Sequence, residues 1–123
     1  MNTLAFILII FIALEHFTFM VIEMFFWTKP LGRRVFKQSI EKSKQTKVLA
    51  ANQGLYNGIL ATGLLWSLWH PNPEFGEQLT IFFLLAVIVA GLYGGYSANK
   101  SILFVQAMPA AITLVLLYLS NIT

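Results

Sequence analysis

Residues 3–27 have the sequence TLAFILIIFIALEHFTFMVIEMFFW, which is apolar apart from two threonines and three ionisable side chains, Glu15, His16 and Glu23. A helix that crosses the roughly 30 Å hydrocarbon core of a bilayer needs about 20 mainly apolar residues. No basic residue precedes this stretch, and it is too long for a secretory signal and lacks a small-residue cleavage site. It therefore predicts a retained transmembrane helix.

The composition of the whole chain agrees with a membrane protein. Of 123 residues, 58% are hydrophobic and 11% are charged, and there is no cysteine. A soluble domain carries roughly 25% charged residues, and one this short would expose a large apolar area to water. These values exclude a soluble enzyme, a disordered chain and a disulfide-stapled secreted module.

Three further apolar segments, residues 48–69, 79–97 and 102–120, are long enough to cross the bilayer. The sequence predicts an all-α protein, a four-transmembrane-helix bundle that forms one integral membrane domain over residues 1–123.

The basic residues are strongly asymmetric. One of the eight, Lys100, lies between the third and fourth spans, and the hairpin 70–78 has none. The other seven lie between the first two spans: Lys29, Arg33, Arg34, Lys37, Lys42, Lys44 and Lys47. The positive-inside rule then places both termini outside, and the loops between spans one and two and between spans three and four in the cytoplasm.

The basic loop also contains apolar side chains, at Val35, Phe36 and Ile40. They fit a short helix on the membrane surface, and the loop equally fits a solvated segment attracted to anionic lipid. No nucleic-acid motif accompanies the basic residues, so we expect no nucleic-acid partner.

The ionisable residues of the first span share one side of the predicted helix. Glu15, His16 and Glu23 fall within about 100° of one another. A charged residue at membrane depth costs roughly 2.5–3.5 kcal/mol on insertion scales, so these residues should face protein and form a candidate ligand or proton site.

The second span offers polar partners for that site. Asn52, Gln53, Tyr56 and Asn57 fall within roughly 140° of one another. Gly54 and Gly58 beside them form a small-xxx-small pattern that allows two helices to approach closely. The pattern supports two interpretations, a polar lining of a site and a set of interhelical hydrogen bonds.

Polar residues from the four predicted spans lie at a similar depth in the membrane. At about 1.5 Å per residue, several polar side chains lie roughly 6–8 Å from the cytoplasmic ends: Glu23, Asn52, Gln53, Tyr93 and Gln106. Glu15 and His16 lie nearer mid-membrane, at the depth of Tyr56 and Asn57. We predict a polar cavity that opens toward the cytoplasm and narrows toward Glu15.

The third and fourth spans add packing and backbone features. Gly91 and Gly95 flank Tyr93 and are candidates for helix packing. Pro109 cannot donate a hydrogen bond to the carbonyl of Val105, so the fourth helix should be kinked or locally open one turn from Gln106.

Neither a metal site nor a cofactor is expected. Glu15 and His16 point about 100° apart, and His16 and Glu23 are roughly 10 Å apart along the helix axis. The chain has no Glu-x-x-His or His-x-x-x-His pair, no phosphate-binding loop and no nucleophile elbow.

Four runs carry a resemblance to a known family: EMFFW at 23–27, LAANQGLYNG at 49–58, AGLYG at 90–94 and ILFVQAMPA at 102–110. Over nearly its whole length the chain resembles the DUF1304 family of small bacterial membrane proteins. The resemblance implies four spans and a bacterial inner membrane, and it carries no catalytic assignment to any residue.

Three hypotheses of function remain open. The first is a homodimer in the lipid bilayer that binds a small apolar or amphipathic ligand, or transports it by proton coupling through Glu15 or Glu23. The second is an intramembrane enzyme acting on a lipid, an isoprenoid or a quinone. The third is a structural or accessory subunit whose polar groups only hold helices together.

Overall fold

The computed structural model describes residues 1–123, and the chain is all-helical, as predicted. Its elements are α1 (Thr3–Phe25), α2 (Pro30–Val35), α3 (Ile40–Gln45), α4 (Lys47–Leu68), α5 (Pro73–Ser97), a π-helical turn (Leu103–Ala107) and α6 (Met108–Ile122).

Three helices are long and apolar enough to cross a membrane: α1, α5, and the π-helical turn with α6 (Leu103–Ile122). They coincide with the first, third and fourth predicted spans. Helix α4 lies where the second span is predicted and has 22 residues. Its amides, at Asn52, Gln53 and Asn57, make it less apolar than the other three.

Asparagine side chains cap the N-termini of two of the long helices. Asn2 accepts a hydrogen bond from the backbone of Ala5 at 2.7 Å. Asn72 accepts from the backbone of Glu74 at 3.0 Å, and Pro73 occupies the first turn of α5, where its missing N–H costs nothing. Helix α5 therefore begins six residues before the predicted boundary at residue 79, and the connection to α4 is correspondingly shorter.

The chain forms two compact units, Met1–Ala13 with Thr62–Thr123, and Leu14–Ala61. In the first, Ser67 of α4 and Thr80 of α5 are buried, and the Thr80 hydroxyl donates to the Ser67 hydroxyl at 2.8 Å. Gly76 lies beside the Ser67 carbonyl, where a Cβ would come within 2.7 Å. The close approach at Gly76 lets the two hydroxyls satisfy each other away from water.

The π-helical turn of the first unit packs against the glycines of α5. The Met108 N–H bonds to the Leu103 carbonyl five residues back. A Cβ on Gly91 would lie 2.6 Å from the backbone nitrogen of Ala107, and a Cβ on Gly95 would lie 2.4 Å from the Leu103 side chain. The wide turn and the glycines thus let the two helices touch backbone to backbone.

In the second unit, the short helices α2 and α3 connect α1 to α4. The Trp27 indole N–H donates to the Thr46 hydroxyl at 3.0 Å. The Trp27 ring lies 4.9 Å from the Phe36 ring, measured between centroids. Since Thr46 directly precedes α4, Trp27 ties the end of α1 to the start of α4.

We expect Gly91→Ala to destabilise the protein by about 1–3 kcal/mol, because the new methyl group meets backbone that cannot rotate away. Gly94→Ala is the matched control on the same helix. Its nearest neighbour is the Ile102 side chain at 3.0 Å, which can adjust. Thermal unfolding in detergent, followed by circular dichroism, measures both variants. Equal losses of stability would contradict the close contact at Gly91.

Candidate functional site

Helix α1 carries the ionisable residues of the candidate site, and the structure buries two of the three. His16 is fully buried and Glu23 is 6% exposed. Glu15 is half-buried, and its Oε1 is a buried atom with no hydrogen-bond partner. The polar side of α1 is therefore directed into the protein at His16 and Glu23, where lipid has no access.

Asn57 of α4 provides the polar partner of Glu23. Its side-chain nitrogen donates to the Glu23 Oε1 at 2.5 Å. Asn57 is itself 5% exposed, so the hydrogen bond lies out of contact with solvent or lipid. An amide donor stabilises either form of the carboxyl group, and it is strongest when the acceptor is charged.

Small residues on α4 bring Asn57 close enough to α1. A Cβ on Gly54 would lie 3.1 Å from both the Met20 carbonyl oxygen and the Glu23 Cβ, and 2.7 Å from the Met24 side chain. At Gly58 the only obstacle is the Met20 side chain, whose sulfur would be 2.5 Å away. The two helices therefore meet nearly backbone to backbone at Gly54, with Met20 and Met24 covering the glycines.

The buried face of α4 is a strip of small side chains around Asn57. Its other members share a side of the helix and are all buried: Ala50, Gly54, Gly58 and Ala61. The glycine spacing was visible in the sequence. The two methionines of α1 that fill the space above the glycines were not singled out, because an isolated Met in an apolar span carries no distinctive signal.

Three of the polar residues predicted on α4 lie on its exposed side. Asn52 and Gln53 are exposed, and Tyr56 is 62% exposed. The helical period places Asn52 and Tyr56 roughly 140° and 100° from Asn57. The structure therefore joins Glu23 to Asn57 and leaves these three side chains on the surface of the chain.

The remaining predicted residues belong to the first unit. Tyr93 of α5 is 70% exposed, and Gln106 in the π-helical turn is buried. The predicted opening of the helix near Pro109 takes the form of that turn, which ends two residues before the proline. The Pro109 carbonyl accepts a hydrogen bond from the Thr113 hydroxyl at 2.8 Å, which satisfies that buried hydroxyl within α6.

Several side-chain hydrogen bonds were not anticipated from the sequence. They join Ser67 to Thr80 and Trp27 to Thr46, and they link Asn121 to Glu77 near the ends of α6 and α5. Each pair is distant along the chain, so no local spacing identifies it.

No group of three or more His, Cys, Asp or Glu side chains comes close enough together to hold a metal ion.

Comparison with known proteins places the chain in a family. Residues 10–118 match the family model DUF1304, which is described as a protein of unknown function. The chain belongs to the DUF1304 family. The match includes Glu15, His16, Glu23 and Asn57, together with the glycines of α4 and α5.

The DUF1304 chain is also similar to the uncharacterized protein YpaA of Lactococcus lactis subsp. lactis (strain IL1403). The two are 31% identical over 117 residues, which cover 94% of this chain and 97% of the relative. No solved structure matches the chain. The relative has nearly the same length, so the comparison covers both chains almost end to end.

We expect Asn57→Leu to destabilise the DUF1304 protein by about 1–3 kcal/mol, because it leaves the buried Glu23 carboxyl without its donor. Asn52→Leu, which removes an exposed amide five residues away, should change stability by less than about 0.5 kcal/mol. Thermal unfolding in detergent micelles compares the two variants.

A double variant tests the pairing directly. Adding Glu23→Leu to Asn57→Leu removes the orphaned group, so part of the lost stability should return. Additive losses in the double variant would show that Glu23 and Asn57 do not stabilise each other.

Proposed function

We propose that this DUF1304 protein is a four-span protein of the bacterial inner membrane that works as a homodimer and binds protons at its intramembrane glutamates. Proton exchange at Glu23, assisted by Glu15, is coupled to the binding or movement of a small amphipathic ligand. The observation that carries the proposal is the buried Glu23 carboxyl, which accepts a hydrogen bond from the Asn57 amide in a span that has no lysine or arginine.

The chemistry of the pair suits proton exchange. Without a proton, Glu23 accepts from the Asn57 amide; with a proton, the second carboxyl oxygen becomes a donor while the first still accepts. The hydrogen bond between the helices thus survives both states. A carboxylate that gives up its proton becomes an attractive site for a cation, which makes an amphipathic cation the natural exchange partner.

In this proposal helix α4 is the second of the four spans. Its 22 residues extend about 33 Å, enough for the hydrocarbon core. Its only basic residue is Lys47 at the first position, and the buried amide of Asn57 is satisfied inside the protein. The exposed Asn52, Gln53 and Tyr56 are the side chains offered to the ligand.

A structural role is the competing explanation, since a hydrogen bond between two helices also holds them together. The two roles differ in what Glu23→Gln does. Glutamine keeps the acceptor for Asn57 and cannot exchange a proton. A purely structural pair tolerates the substitution, whereas a proton site loses its activity while the protein still folds.

Transport is tested in proteoliposomes that contain the pH dye pyranine, with ethidium outside as the probe cation. We expect the wild-type protein to couple ethidium entry to proton exit, and Glu23→Gln to abolish both movements. Glu74→Gln, at an exposed position in the first turn of α5, should behave as wild type. Fluxes through Glu23→Gln equal to wild type, or no wild-type flux above that of protein-free vesicles, would contradict the proposal.

Topology is tested separately, since the chain has no cysteine of its own. We expect a membrane-impermeant maleimide to label Glu74→Cys in whole cells from outside. Ser39→Cys, in the basic loop, should react only after the membrane is opened, because the loop is cytoplasmic. The opposite labelling pattern would overturn the proposed orientation.

A further inference from the structure

The segment between α1 and α4 concentrates the positive charge of the protein on ordered structure. Residues 29–47 hold seven of the eight basic residues and a single acid, Glu41. We call the surface formed by this segment the basic platform. Six of its seven basic side chains are exposed, and Arg33 is half-buried, with its Nε donating to the Thr28 carbonyl at 3.3 Å.

The basic platform is folded onto the end of α1. Gly32 of α2 lies so close to the preceding backbone that a Cβ would come within 2.1 Å of the Phe26 carbonyl oxygen. Trp27 packs on Phe36 and donates to Thr46, which holds both ends of the platform together. The positive charges are therefore presented in defined positions by the two short helices, the residues that flank α2 and the start of α4.

Lys37 marks the break between α2 and α3. Its φ is +53°, in the left-handed region that usually takes glycine or asparagine. The Gln38 N–H bonds to the Arg33 carbonyl at 2.9 Å, which closes the end of α2 as in a Schellman motif. A lysine thus occupies a position where glycine fits the backbone better, and its charge stays on the exposed surface.

The basic platform also exposes aliphatic side chains. Leu31 and Val35, one turn apart on α2, are 47% and 46% exposed, and Ile40 at the start of α3 is 45% exposed. Exposed aliphatic groups interspersed with lysine and arginine are typical of surfaces that lie at the boundary between headgroups and acyl chains. A surface that met only soluble anions would gain nothing from them.

We propose that the basic platform is a binding surface for anionic phospholipids, with its cations on the phosphate headgroups and Leu31, Val35 and Ile40 in the upper acyl region. Charge complementarity and position support this occupant. The platform starts at Lys29, four residues after α1 ends at Phe25. A transmembrane α1 therefore places the platform at the membrane surface. Arginine and lysine both bind phosphate, arginine through two parallel hydrogen bonds. The inference needs only α1 in the membrane and is independent of proton binding at Glu23.

The test compares lipids that differ only in headgroup. Full-length protein in a neutral detergent is titrated calorimetrically with dihexanoyl phosphatidylglycerol and with dihexanoyl phosphatidylcholine. We expect the anionic lipid to bind at least about 100-fold more tightly, with a preference that weakens as salt is added. Equal affinities for the two lipids would overturn the proposal.

Charge variants locate the binding surface. Substituting Arg34→Gln, Lys37→Gly and Lys44→Gln together should weaken phosphatidylglycerol binding on the order of 100-fold, since each cation near a membrane surface contributes about fivefold. Lys100→Gln, in the loop after α5, is the matched control and should bind as wild type. Retained selectivity in the triple variant would place the lipid elsewhere and overturn the assignment.

Lys37→Gly separates binding from folding. Glycine suits the left-handed backbone, so the thermal stability should be unchanged or higher, whereas phosphatidylglycerol affinity should fall about fivefold. Glycerol 3-phosphate and hexaglutamate are titrated as soluble anions. Binding of either one as tightly as the lipid would show a soluble-anion or acidic-protein site and would overturn the lipid assignment.

Discussion

The buried hydrogen bond from Asn57 to Glu23 joins α4 to α1. Lipid offers no donor to a carboxyl group, so a glutamate at this depth has to find its partner in the protein. Asn57 reaches Glu23 only because Gly54 lets the two backbones approach. The small-residue strip of α4 and the methionines of α1 that cover it serve that one requirement.

The same constraint shapes the first unit with different residues. The Thr80 hydroxyl of α5 donates a hydrogen bond to the Ser67 hydroxyl of α4. Within α6, the Thr113 hydroxyl donates to the Pro109 carbonyl. The proline removes one backbone donor, and the π-helical turn before it rearranges the hydrogen bonds without leaving the helix. Gly91 then allows α5 to pack directly on the widened backbone.

Hydropathy predicted the four long helices, because each is a long and mainly apolar run whose helical state depends on no partner. The start of α5 was misplaced because its first turn is polar, although Asn72 and Pro73 already carried a cap signal. The 3.6-residue period identified the polar arc of α4 but not which edge faces α1. That choice depends on packing, and it selects Asn57 over Asn52, Gln53 and Tyr56. The left-handed turn at Lys37 was not predictable, since lysine rarely occupies one.

Infrared spectroscopy of the carboxylic acid C=O stretch can show whether Glu23 is an exchangeable proton site held by Asn57. With Glu15→Gln as the background, which removes the other carboxyl of α1, a pH titration should show one buried carboxylic acid C=O band that appears on protonation and disappears on deprotonation. That band should disappear in Glu23→Gln, persist in Glu74→Gln and shift to higher frequency in Asn57→Leu, where its hydrogen bond is lost. If the band of that background persists after Glu23→Gln is added, Glu23 is not the group that exchanges the proton.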